Sequence, residues 1–92
     1  MYSKNRLGKM CKELGKRFDY ALSATGQNAR TKEEVVAQAC AKYRLQPIPY
    51  SATTLLLAEP GNRYAIRCET IEGNPTRVAL STVVSDTPWL SQ

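Results

Sequence analysis

The sequence contains no histidine, and this absence removes several kinds of chemistry at once. Histidine is the commonest general base of enzymes and a frequent ligand in protein zinc sites. The three cysteines, Cys11, Cys40 and Cys68, are widely spaced and form no CxxC pair, so they indicate neither a metal site nor an activated thiol. Phosphate-binding loops and nucleophile-elbow motifs are missing too. We therefore expect no enzyme activity, no metal and no cofactor.

Long apolar runs are also absent. The longest, Leu55 to Ala58, falls far short of the roughly 20 residues that cross a bilayer, so no membrane partner is expected. An odd number of cysteines without a secretory signal pattern favours a cytoplasmic location. With 92 residues, 42% of them apolar and 23% charged, the chain is predicted to form one compact domain over residues 1–92.

The net charge of +5 is confined to the first 17 residues. This segment carries six cations against the single carboxylate Glu13, whereas the remaining residues carry equal numbers of each sign. The cations are Lys4, Arg6, Lys9, Lys12, Lys16 and Arg17. A local excess of charge attracts phosphate or acidic protein and adds nothing to a fold. The distribution therefore predicts a binding surface for an anionic partner.

Apolar residues near the amino terminus recur at helical spacing, and Ser3 precedes them as a potential N-cap. They are Leu7, Met10, Cys11, Leu14 and Phe18. Gly8 and Gly15 share one edge of this helix, which indicates a close backbone approach, although Gly15 is equally suited to end it. Residues 17–24 alternate in polarity like a half-buried strand. We expect a helix over about 4–14 and then a strand over about 17–24, with one helix to about 23 as the alternative.

A second helix has clear boundaries. Thr31 and Glu34 form a capping box ahead of an apolar pattern, and Pro47 and Pro49 prevent continuation, so this helix should span about 32–45. Three strands are predicted near 52–58, 63–70 and 76–84. The first pair is joined by a type II turn at residues 59–62, and the second by a reversal at residues 72–75.

These turns place Leu57 opposite Tyr64 and Ile66 opposite Leu80 on one apolar face, which the second helix should cover. The other face is also partly apolar, and either the first helix or an outside partner is expected to cover it. Trp89 should anchor the carboxyl-terminal tail to the body. The predicted class is α+β, with two helices and a mainly antiparallel sheet of three or four strands. Residues 1–16 form the basic amphipathic helix and residues 17–92 the α+β body.

The predicted binding surface has a main and a secondary part. Lys9, Lys12 and Lys16 are helical neighbours that repel one another. Phosphates or carboxylates of a bound partner would offset this repulsion, which favours a binding role for the three lysines. Arg63 and Arg67, beside small apolar residues on one sheet face, are predicted secondary contacts, whereas Arg77 is expected to pair with Glu69. The predicted phosphate- or partner-binding residues are Lys4, Arg6, Lys9, Lys12, Lys16, Arg17, Arg63 and Arg67.

The helix and three strands over residues 32–84 resemble the amino-terminal part of a double-stranded-RNA-binding domain. That family adds a basic carboxyl-terminal helix, however, and residues 85–92 contain no lysine or arginine. The likeness therefore concerns topology only.

In length, predicted architecture and stretches such as Thr31 to Tyr43 and Arg63 to Ser85, the chain resembles small phage anti-CRISPR proteins that act on type I-F surveillance complexes. This resemblance implies a non-catalytic inhibitor in the bacterial host cytoplasm. A positive charge disfavours DNA mimicry, so the implied partners are the guide-RNA backbone or acidic surfaces of the Cas subunits, with target-DNA access or pairing blocked. The alternative is a small basic regulator that binds free DNA or RNA.

Overall fold

The first helix, α1, spans Lys4–Ser23 in the computed structural model, which describes residues 1–74 and 77–91. The side chain of Ser3 caps it by accepting the backbone N–H of Arg6 over 3.1 Å. The strand predicted over 17–24 is wrong, and the single-helix alternative is confirmed. Phe18 belongs to the helical pattern and to the strand pattern. A strand would bury Tyr20 on the same side as Phe18, but Tyr20 is 70% exposed. Ala21 is buried instead, as the helical pattern requires.

The second helix, α2, spans Lys32–Tyr43 and follows a short 3-10 turn at Gly26–Asn28. The hydroxyl of Thr31 accepts the backbone N–H of Glu34 over 3.2 Å, as the capping box predicts. The helix ends earlier than expected because Arg44 adopts a left-handed conformation, with φ at 57°.

Within the described residues, the sheet has four antiparallel strands in the order β1-β2-β3-β4, which confirms the α+β class. They are β1 (Gln46–Pro49), β2 (Thr54–Ala58), β3 (Tyr64–Thr70) and β4 (Val78–Val84). The strand β1 was not predicted, because Pro47 and Pro49 indicate the end of a helix in the sequence. A strand at the edge of a sheet tolerates proline, since one side of its backbone needs no hydrogen bond.

The turn at residues 59–62 forms as predicted, with Gly61 at φ 81° and the N–H of Asn62 donated to the Glu59 carbonyl. The predicted register is wrong by two residues, because Leu57 lies opposite Ile66 and Cys68 opposite Leu80. A shift of two keeps every side chain on its predicted face. The reversal predicted at residues 72–75 and the start of the strand predicted at residue 76 fall partly outside the described residues.

Both helices pack on the same face of the sheet. Their buried residues form one cluster with Leu57, Ile66 and Cys68, with α1 mainly over β4 and α2 beside α1. Of the two candidates expected to cover the opposite face, the first helix is therefore wrong. The core contributions of α1 are Leu7, Met10, Leu14, Phe18 and Ala21, and those of α2 are Val35, Val36 and Ala39.

The carboxyl-terminal tail, rather than a helix, lies along the opposite face. Trp89 donates its backbone N–H to the Asn62 carbonyl over 3.2 Å, and the Leu90 carbonyl accepts the N–H of Gly61 over 3.1 Å. The Trp89 ring meets Tyr50 edge to face, with centroids 6.4 Å apart. Leu56, on this face of the sheet, is 2% exposed. The anchoring role expected of Trp89 is confirmed.

Candidate interaction surface on helix α1

The helix α1 displays all six of its cations to solvent. Its apolar stripe is buried against the sheet, and the cations occupy the remaining sides. The exposed residues are Lys4, Arg6, Lys9, Lys12, Lys16 and Arg17. A helix anchored along its length holds such side chains at fixed spacing, so they can act as one surface.

The amino-terminal segment fixes the start of α1 on the sheet. Tyr2 donates its hydroxyl to the Tyr43 carbonyl over 2.8 Å and its backbone N–H to the carboxylate of Glu59. The side-chain amide of Asn62, which is 2% exposed, donates to the Tyr2 carbonyl over 2.8 Å. These contacts hold the first turn of α1, and hence Lys4, beside the turn that precedes β3. Sequence reasoning gave no signal for them because they join distant residues.

The cations of α1 divide into two groups around the helix axis. Arg17 lies on the side of α2, in a cleft shared with Arg30 and Gln38, and helical geometry places Arg6 on the same side. The other group faces solvent, and three of its members, Lys4, Lys9 and Lys12, line a groove with Thr82 of β4. We call this second group, consisting of Lys4, Lys9, Lys12 and Lys16, the lysine face.

The only carboxylate within the basic segment, Glu13, forms its ion pairs with Arg17 and Lys42 rather than with the lysine face. Its Oε1 accepts a hydrogen bond from Lys42 Nζ of α2 over 2.9 Å and lies 3.4 Å from Arg17 Nη2. The bond from Lys42 is the main cause that lowers the pKa of Glu13 to about 2. Glu13 therefore neutralises charge between the two helices.

The lysine face itself is uncompensated. Among residues 1–74 and 77–91, the ion pairs are Glu13 with Arg17 and Lys42, Arg30 with Glu34, and Arg67 with Glu69. Like-charged neighbours on a helix cost about 0.2–0.5 kcal/mol per pair, so Lys12 is disfavoured twice, once by Lys9 and once by Lys16. No internal contact offsets this cost in the described part of the chain.

Arg63 extends the lysine face at its amino-terminal end. It lines a surface cavity of about 440 Å³ together with Lys4, Asn5 and Tyr64. Its backbone carbonyl accepts the N–H of Ser85 over 2.9 Å, which holds it at the start of the β3–β4 ladder. The structure thus brings Arg63 next to the main group of predicted residues.

Arg67 lies elsewhere. It projects from the opposite face of the sheet, pairs with Glu69, and lines a groove of about 380 Å³ with Leu56 and Trp89. The expected cross-strand pair between Arg77 and Glu69 is wrong, because Ala79 lies opposite Glu69 and the carboxylate contacts Arg67 instead. Arg63 and Arg67 therefore do not form one surface, and only Arg63 adjoins the lysine face.

The cysteines have no feature of activated thiols. Burial raises the pKa of Cys68 to about 11 and also raises those of Cys11 and Cys40. A thiol reacts as its thiolate, so a raised pKa lowers reactivity. No group of three or more histidine, cysteine, aspartate or glutamate side chains suited to a metal ion is found in residues 1–74 and 77–91.

Two further findings complete the description. Neither α1 nor α2, the helices in the described ranges, combines the length and apolar character that a membrane span requires. Comparisons of the chain with protein-family models, curated proteins and solved structures gave no match.

Proposed function

We propose that this protein is a non-catalytic interaction protein that binds a CRISPR-type ribonucleoprotein complex and blocks access or pairing of target DNA. It would act in the bacterial host cytoplasm in the manner of phage inhibitors of type I-F surveillance complexes. The single observation that supports the proposal is the lysine face, which is held on an anchored helix and forms no ion pair with a carboxylate among residues 1–74 and 77–91. A ribonucleoprotein offers anions to such a face in two forms, its guide-RNA phosphates and acidic subunit surfaces.

Occlusion is the mechanism suited to this architecture. The lysine face occupies the outside of α1, and Arg63 continues it past the helix start. An inhibitor attached through this strip would keep the rest of its body, with principal-axis extents of 41 × 24 × 19 Å, over the surface it occupies. Target DNA approaching the same phosphates or subunit groove would meet both the bulk of the protein and its competing cations.

A competition experiment tests the proposal. Purified type I-F surveillance complex with its guide RNA is mixed with labelled target duplex, with and without this protein, at moderate salt. We expect the protein to bind the complex and prevent capture of the duplex. Unchanged capture with no binding to the complex would overturn the proposal.

Titration with free duplex and single-stranded oligonucleotides distinguishes the proposed inhibitor from the alternative, a regulator that binds free nucleic acid. If the lysine face acts on free nucleic acid, affinity should fall steeply with salt, with a log–log slope of about −3 to −4 for the four lysines. We expect no such binding in the absence of protein subunits. Tight, salt-dependent binding to free oligonucleotides would favour the regulator instead.

A further inference from the structure

The outer edge of β4 is an open strand beside the lysine face. The sheet order makes β1 and β4 its two edges. The β1 edge is short and contains Pro47 and Pro49, which lack backbone donors. By contrast, β4 is longer and reads Val-Ala-Leu-Ser-Thr-Val-Val, without charge or proline. Natural proteins usually protect a long uncharged edge from pairing with another chain, so an unprotected one indicates a pairing site.

The register identifies the backbone groups that face outward. Ser85 donates its N–H to the Arg63 carbonyl and Ile71 donates to the Arg77 carbonyl, each over 2.9 Å, at the two ends of the β3–β4 ladder. Hydrogen-bonded pairs alternate along an antiparallel ladder, so the odd-numbered residues of β4 point toward β3. The even-numbered residues therefore direct their N–H and C=O groups outward. They are Val78, Leu80, Thr82 and Val84.

The lysine face borders this edge directly. A groove of about 460 Å³ lies between α1 and β4, and its lining includes Lys4, Lys9, Lys12 and Thr82. Gly8 also lines it, and, apart from the nearby backbone of α1, a Cβ added there would meet no atom of residues 1–74 and 77–91 within 4 Å. Glycine is a poorer helix former than alanine, and no packing contact within the described residues requires a glycine here. Its absent side chain widens the groove next to Thr82.

We propose that β4 accepts an extended acidic segment of a protein partner as a fifth strand of the sheet, with its carboxylates on Lys4, Lys9 and Lys12. This inference rests on the proposed interaction role of the lysine face and specifies the chemistry of the partner. An added strand pairs with the outward N–H donors and the outward C=O acceptors together, whereas a phosphate backbone offers only acceptors, which can pair with the N–H groups but leave the carbonyls unused. The charge complementarity selects an acidic segment.

A second copy of this chain fits the edge less well. Pairing β4 with β4 of another molecule would bring two lysine faces to the same junction, because α1 lies mainly over β4 in each copy. Like charges directly opposed across an interface are unfavourable. The partner segment is therefore expected to come from another protein.

Amide hydrogen exchange followed by NMR tests the proposal with a defined probe, the peptide acetyl-Glu-Val-Glu-Thr-Glu-Val-Glu-amide. In the free protein, we expect the amides of Leu80, Thr82 and Val84 to exchange at least about tenfold faster than those of Ser81 and Val83. Millimolar acidic peptide should slow exchange of the even-numbered amides. A peptide of the same length with lysine in place of glutamate should not.

Two variants probe the edge itself. Thr82→Pro removes an outward donor at the groove, and Val84→Pro removes one where the side chain is 61% exposed, so the second variant should fold even if the first does not. We expect each to weaken peptide binding by about fivefold or more, the effect of one hydrogen bond of about 1 kcal/mol. The matched control Val84→Thr retains the N–H and should bind normally.

The outcomes separate this inference from the proposed function. Lack of protection of the even-numbered amides by the acidic peptide, or protection by oligo-dT alone, would overturn strand addition. Neither result would touch inhibition of the surveillance complex, which is measured by duplex capture. Peptide protection lost in the proline variants and kept in Val84→Thr would support the proposed strand site.

Discussion

Lys42 of α2 donates a hydrogen bond from Nζ to Oε1 of Glu13 on α1 over 2.9 Å. This contact determines how charge is distributed around α1. Glu13 contacts Lys42 of α2 and Arg17 of α1, so its negative charge compensates these two cations. The lysine face, consisting of Lys4, Lys9, Lys12 and Lys16, consequently has no ion pair within the part of the chain that the structure describes. An anionic partner would supply negative charge to pair with these lysines.

The pair predicts an unusually acidic carboxyl group. The pKa of Glu13 is lowered from 4.5 to about 2, mainly by the hydrogen bond from Lys42, with smaller contributions from Tyr43 and the charge of Arg17. A depressed folded pKa means that the pair stabilises the protein above the unfolded pKa and that this stabilisation is lost as pH falls from about 4.5 to about 2. Carboxyl NMR titration should give a midpoint near 2 for Glu13. In Lys42→Gln the midpoint should move up toward 4.5, and an unshifted midpoint in that variant would refute the assignment of cause.

Gly8 offers a prediction about stability. Gly8→Ala should stabilise the protein by about 1 kcal/mol in urea unfolding, because alanine is the better helix former and its Cβ has open space. The control is Gly26→Ala, where the added Cβ also has space but φ is 67°, so alanine should destabilise. Destabilisation by Gly8→Ala would mean that the backbone approach expected from the sequence exists after all.

The tail should contribute measurably to the stability of the sheet. Trp89→Ala removes a partly buried ring from the face that contains Leu56 and should cost roughly 2 kcal/mol, less than the ~3–5 kcal/mol of a fully buried aromatic residue. Tyr50→Ala is the comparison, since Tyr50 is 66% exposed and should lose at most about 1 kcal/mol. Equal losses in chemical denaturation would contradict the anchoring role of Trp89.

The cysteines should resist thiol reagents while the protein is folded. Desolvation raises the pKa of Cys68 to about 11, and partial burial raises those of Cys11 and Cys40. With a disulfide reagent at about pH 8, labelling should be slow in the native state and slowest at Cys68, then complete in denaturant. One thiol that reacts at once in the folded protein would indicate an activated cysteine and revive the possibility of catalysis.

Local signals in the sequence were sufficient for much of the fold. The capping box of Thr31 and Glu34 predicted the start of α2, and the proline and glycine at residues 60 and 61 predicted the β2–β3 turn. The side-chain period of two also assigned each strand residue to its face, even though the register was wrong by two. These features depend on neighbouring residues, which the sequence displays directly.

Features that depend on distant contacts were missed. Residues 17–24 satisfy both a helical and a strand period, and only packing of Phe18 and Ala21 against the sheet decides for the helix. The edge position of β1 and the placement of both helices on one face likewise follow from tertiary packing. For the candidate site, the sequence predicted the cations of α1 but gave no sign that Lys42 would form an ion pair with Glu13.

The most direct measurement is the affinity of surveillance complex for a variant in which Lys9, Lys12 and Lys16 are all replaced by glutamine. A matched variant removes the same charge elsewhere by replacing the exposed residues Arg30, Arg44 and Arg77 with glutamine. With contacts of up to about 1 kcal/mol each, we predict about tenfold to 100-fold weaker binding for the lysine variant, unchanged melting, and near-normal binding of the matched variant. Undiminished binding by the lysine variant, or equal loss in both, would contradict a specific role for the lysine face.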